Sequence, residues 1–113
     1  MIEHYEFGRI VIDGKSYSSD VIIYPDKVDA DWWREEGHRL SPVDLWEVVR
    51  AKPEILVVGT GYSGLMDVPS ETMKHLQENG IKVIVQRTGE AWKTYNRLLQ
   101  EGKKVVAALH LTC

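Results

Sequence analysis

The sequence predicts a small α/β domain: an N-terminal β-hairpin, then βαβαβ-type parallel strands forming a mixed sheet with packed helices. Three observations predict it. Runs rich in Ile, Val and Tyr flank Asp13-Gly14, a dipeptide suited to the positive φ angles of a tight primed turn. Short apolar runs then alternate with helical patterns, which implies parallel pairing through right-handed crossovers. A length of 113 residues fits one domain, spanning 1–113. Such a chain buries roughly two thirds of its unfolded surface.

The hairpin strands are expected at residues 7–13 and 16–24, with Pro25 ending the second. Residues 26–40 mix charges, two tryptophans and Gly37 without a period, so irregular structure is expected there. Ser41-Pro42-Val43-Asp44 reads as a helix start. Serine caps, proline suits the first helical position, and Asp44 favours the positive end of the dipole. Leu45, Trp46, Val48 and Val49 give this helix an apolar face, and Pro53 stops it. Residues 54–58 are expected as a short strand, apolar throughout after Glu54, the mark of a strand buried on both faces. A loop at 59–67 leads to a second helix over 69–79, with Met73 and Leu76 inward and Gly80 at its end. Residues 81–85 are the next buried strand. Thr88 is placed to cap a third helix that carries Ala91, Trp92, Tyr95, Leu98 and Leu99 on one face. Gly102 ends it, and 103–111 is the last strand.

Composition narrows the function classes. Fourteen Lys+Arg against 17 Asp+Glu leave a net charge of −3, with no global pull toward nucleic acid or an anionic membrane. The single cysteine cannot form an intrachain disulfide, which points to a reducing compartment. The first residues lack the basic and apolar regions of a secretory signal. No apolar run approaches the ~20 residues of a membrane helix. A cytoplasmic chain is expected, with neither nucleic acid nor membrane as a partner.

Several motifs touch on chemistry. Gly59-Thr60-Gly61-Tyr62-Ser63-Gly64 is a literal G-x-G-x-x-G directly after a strand, the pattern of a phosphate cradle. It departs from a dinucleotide site in two ways. Pro69 stands where an early helix would break, and Gln86-Arg87 replaces the acidic residue expected after the second strand. Glycines that let the chain turn sharply are the simpler reading, and no cofactor is expected. Gly61 to Leu65 falls one glycine short of a nucleophile elbow. In an open parallel sheet, ligands bind at the carboxyl ends of the strands. Those ends bring together Gly59, Thr60, Gly61, Arg87, Thr88 and His110, with Arg87 beside a helix N-terminus as an anion-binding candidate. His110 and Cys113 lie three apart, so in an extended strand they point to opposite faces, and no metal site is expected. Asp31-Trp32-Trp33-Arg34 is read as a lid packed on the hairpin with Arg34 stacked on an indole, or as a protein contact.

Four segments carry a wider resemblance. They are Trp33-Arg34 with Gly37 and Ser41-Pro42, and the run from Ile55 to Gly61. Thr88 with Ala91, Tyr95-Asn96 and Gly102, and the ending from Ala107 to Cys113, complete the set. In order and spacing they resemble a small single-domain family of unknown biochemical function, and the likeness spans nearly the whole chain. That family includes archaeal and bacterial hypothetical proteins, the adipogenesis-associated domain protein and a mitochondrial assembly factor of respiratory complex I. The resemblance implies a compact α/β fold with a mixed sheet and brings no catalytic residues. It places Gly64 at a variable position. The function expected is a non-enzymatic protein-interaction or assembly factor, with a protein partner or a homodimer. The alternative is a small anionic-ligand binder or enzyme using the strand-end crevice.

Overall fold

The chain runs β1 (Ile2–Glu6), β2 (Arg9–Ile12), β3 (Lys15–Tyr17), β4 (Val21–Ile23), β5 (Val28–Asp29), a 3-10 turn (Pro42–Leu45) and α1 (Trp46–Ala51). It continues through β6 (Ile55–Gly59), α2 (Ser70–Glu78), β7 (Lys82–Gln86), α3 (Thr88–Gln100) and β8 (Val105–Leu109). The computed structural model describes residues 1–113. Strands β1, β2 and β3 form an antiparallel sheet, and a second, mixed sheet has the order β5-β4-β8-β6-β7. β6 pairs in parallel with β7 and β8, while β4 runs antiparallel to β8.

Period-two alternation builds two cores, one on each face of the mixed sheet. Ile55 and Val57 of β6, with Val105, Ala107 and Leu109 of β8, face Ala91, Tyr95 and Leu98 of α3 and the isoleucines of the small sheet. Leu56, Val58, Val106 and Ala108 point the other way, toward Leu45, Val48 and Leu76 of the remaining helices. β6 and β8 are therefore buried at every position.

Five expectations need correction. The hairpin is a three-stranded meander, because Phe7-Gly8 makes a second turn that lets β1 pair with β2. The turn at Asp13-Gly14 is as expected, with φ of 49° and 80° and Ile12 paired with Lys15. The run 16–24 is two strands in different sheets, broken at Ser18-Ser19-Asp20. β7 is an edge strand rather than a buried one, with Val85 exposed. Ser41-Pro42 opens a 3-10 turn before α1, and Trp46 points to solvent rather than into the apolar face. Asp44 does stabilise that start, accepting the Ser41 N–H at 2.9 Å. The irregular stretch 26–40 contains the short β5.

Candidate functional site

Register places the strand ends. Gly59 pairs with Gln86 and with Leu109, so the segments after β6, β7 and β8 leave the sheet at one edge. All six candidate residues lie there, and their backbones knit to one another. The Thr60 N–H donates to the Gln86 carbonyl at 2.9 Å, and the His110 N–H to the Gly59 carbonyl at 3.0 Å. Thr88 does not cap α3 with its side chain, since Arg87 occupies the cap position. Its buried hydroxyl instead accepts the Gly61 N–H at 2.9 Å and donates to the His110 carbonyl at 2.6 Å. A Cβ at Gly59 would meet Thr88 Oγ1 at 2.7 Å. One at Gly61, where φ is +110°, would strike the Thr112 carbonyl. Close approach of chain to chain explains both glycines. The Arg87 side chain lies against Gly64 and forms no ion pair.

The same register creates a polar cluster that sequence reasoning missed. Val21 pairs antiparallel with Leu109, so Asp20, just before β4, faces His110, just after β8. Asp20 Oδ2 lies 2.7 Å from His110 Nδ1, and Oδ1 accepts the Leu111 N–H at 2.7 Å. Arg34 Nη1 completes an ion pair with Asp20 Oδ2 at 2.8 Å. Burial pushes the Asp20 carboxyl up, but the bonds from His110 and Leu111 and the contact with Arg34 outweigh it and hold the group below its ordinary value. Arg34 also donates to the Gly37 carbonyl at 2.9 Å and lies over the Trp32 indole, 4.7 Å from the ring centre.

Beyond Leu109 the chain is no longer a strand, which undoes the expectation that His110 and Cys113 diverge. This irregular segment brings His110 and Cys113 together with His38, their ligand atoms all within 4.8 Å of one another. His110 is only 5% exposed and its Nε2 has no partner.

A third feature is a groove of about 290 Å³ beside β4, the 3-10 turn and α1. Trp32 lines it as a buried residue, with the indole N–H donating to the Asp44 carbonyl at 3.2 Å. Asp44 also accepts the Glu35 N–H at 3.1 Å, which pins the segment after Trp32 to the 3-10 turn. Trp33 and Trp46 also line it, 74% and 60% exposed. The two adjacent tryptophans thus divide, one packing and one facing solvent. Asp29, Glu35, Asp44 and Glu47 also line the groove, and no lysine or arginine does.

Comparison with known proteins follows the whole chain. A family model described as "Protein of unknown function (DUF498/DUF598)" matches residues 2–110. The crystal structure of a conserved hypothetical protein from Pyrococcus horikoshii OT3 is 30% identical with a TM-score of 0.84, covering 100% of this chain and 99% of that one. The "13 kDa major membrane protein" of Francisella tularensis subsp. holarctica (strain LVS) is 28% identical over 110 residues, 91% of this chain and 84% of that protein. Human NADH dehydrogenase (ubiquinone) 1 alpha subcomplex assembly factor 3 is 30% identical over 111 residues, 96% of this chain. The match spans 59% of that factor's length. No helix here is long and apolar enough to cross a membrane.

Proposed function

The chain belongs to the DUF498/DUF598 family of proteins of unknown function, and from that premise we propose that it is a non-enzymatic interaction factor. It docks a partner protein in the acidic, tryptophan-lined groove, and it works in the cytoplasm, where its single thiol stays reduced. The observation that carries this reading is Trp33. A side chain with so large an apolar surface, exposed in a groove that the exposed Trp46 also lines, marks a binding surface more than a packing error. Tryptophan is enriched among the residues that dominate binding energy. Glu47 is paired with Lys27 and the Asp44 carboxylate holds backbone N–H groups, so Asp29 and Glu35 set the partner's chemistry: a basic segment that lays an apolar side chain against the exposed indoles. Support of a second kind comes from the relative named as an assembly factor.

Photo-crosslinking in cells tests it. A photoreactive amino acid replaces Trp33 in one variant and the exposed Gln77 on α2 in another. The reading expects a discrete adduct from position 33 only, weakened by Glu35→Lys, with the crosslinked peptide rich in Lys or Arg. An adduct shared by both positions, none at position 33, or a second copy of this chain as the product would overturn it.

A further inference from the structure

We propose that His38, His110 and Cys113 form a binding site for a zinc-class transition metal ion. His38 is far along the chain from His110 and Cys113, yet the ligand atoms of all three lie within 4.8 Å of one another. Ligand atoms around a tetrahedral zinc stand about 3.4–3.8 Å apart, given Zn–N and Zn–S bonds of about 2.0–2.3 Å. Small side-chain rotations close that difference.

His110 supplies the second, independent observation. Its Nδ1 has two neighbours, an Asp20 carboxylate oxygen at 2.7 Å and Arg34 Nη2 at 3.1 Å; the shorter contact is too close for two bare acceptors and Nη2 has the Gly37 carbonyl to donate to, so the tautomer that fits is the one in which Nδ1–H donates to Asp20. In that tautomer Nε2 carries a lone pair. It is buried and meets no hydrogen-bond donor. An orphaned buried acceptor needs an explanation, and an ion is one of the few available. A carboxylate holding the far nitrogen of a metal-bound imidazole is the usual outer arrangement around zinc, fixing the tautomer and the ring orientation. Arg34 offsets the Asp20 charge, and Cys113 supplies a sulfur that binds zinc as thiolate, its proton released on binding.

Backbone bonds hold the ligands in place beforehand. The Tyr62 N–H donates to the Thr112 carbonyl at 3.3 Å and the Leu65 N–H to the Cys113 carbonyl at 3.2 Å. The His38 carbonyl accepts the Asp67 N–H at 2.8 Å. Two imidazoles and one thiolate suit zinc, and three protein ligands leave a fourth position open to water or to a group on a partner. None of the three residues lines the tryptophan groove, so this site stands or falls apart from the docking reading.

The test is titration of reduced, chelator-stripped protein with Co²⁺ alone and then Zn²⁺. One equivalent of cobalt is expected to give a thiolate-to-cobalt charge-transfer band with intense tetrahedral d–d bands, both displaced by zinc. Cys113→Ser removes the charge-transfer band. His38→Ala changes an exposed side chain, leaves the metal-free melting temperature unchanged and weakens zinc binding at least tenfold. Absence of the cobalt bands in the wild-type chain, or zinc affinity unchanged in both variants, would overturn the proposal.

Discussion

Replacing Thr88 by valine probes the bond that ties the strand ends together. Valine matches threonine in shape and lacks only the hydroxyl, so packing in this fully buried position is kept. Two bonds are lost: from the Gly61 N–H at 2.9 Å and to the His110 carbonyl at 2.6 Å. A buried group left without its partner costs about 1–3 kcal/mol. The amide bears the full cost, and the carbonyl less, because unsatisfied acceptors are tolerated better than unsatisfied donors. The sum is about 2–4 kcal/mol. Unfolding entropy of about 2.1 cal/mol/K per residue gives about 0.24 kcal/mol/K for this 113-residue chain. Thr88→Val should therefore lower the melting temperature by about 8–17 °C in calorimetry. Thr88→Ser retains the hydroxyl and should recover most of that loss. A valine variant within a degree of wild type, or a serine variant as unstable as the valine one, would refute the reasoning.

Other perturbations separate the remaining parts of the account. Gly61→Ala combines a positive φ with a Cβ driven into the Thr112 carbonyl and His110, so the urea midpoint should fall by the equivalent of about 2–5 kcal/mol at unchanged m. Trp32→Ala should cost about 3–5 kcal/mol, since that indole is buried, whereas Trp33→Ala should shift stability by no more than about 0.5 kcal/mol. Paired thermal melts check both at once. Burial, with a smaller contribution from Tyr62 and Asp20, pushes Tyr5 up to about 12, and burial also raises Tyr24 and Tyr95. Groups whose folded pKa is raised stabilise fully below their unfolded value of about 10 and lose that contribution as pH climbs through the folded one. Unfolding free energy followed by denaturant titration should therefore drop between pH 10 and pH 12.

Much of the fold is legible in the sequence because local signals agree with the tertiary outcome. The Asp13-Gly14 turn, the apolar runs of β6 and β8 and the spaced face of α3 each carry their own period or turn chemistry. Where the reading fails, the deciding contact is remote. Residues 16–24 read as one β-rich run, yet the chain changes sheets at Asp20, and nothing local signals that change. That break is what sets Asp20 opposite His110, so the cluster was hidden together with it. Thr88 carries a capping residue's chemistry, but a buried amide 27 positions away claims its hydroxyl. Trp46 lies within an apolar pattern and still faces solvent, because the 3-10 turn rotates α1 relative to a continuous helix. His38 follows Gly37 in an aperiodic stretch, and no spacing links it to His110 or Cys113. The strand-end candidates were legible as a group, since parallel topology alone brings them to one edge.

The most direct test of the docking reading is the affinity of the crosslinked partner segment for the wild-type chain and for Trp33→Ala, by isothermal calorimetry. A residue that anchors an interface contributes about 2 kcal/mol or more, about thirty-fold in Kd. The account predicts a loss of at least that size, a further loss on raising the salt, and an unchanged melting temperature. Equal affinity for the two chains, at any salt concentration, would contradict it.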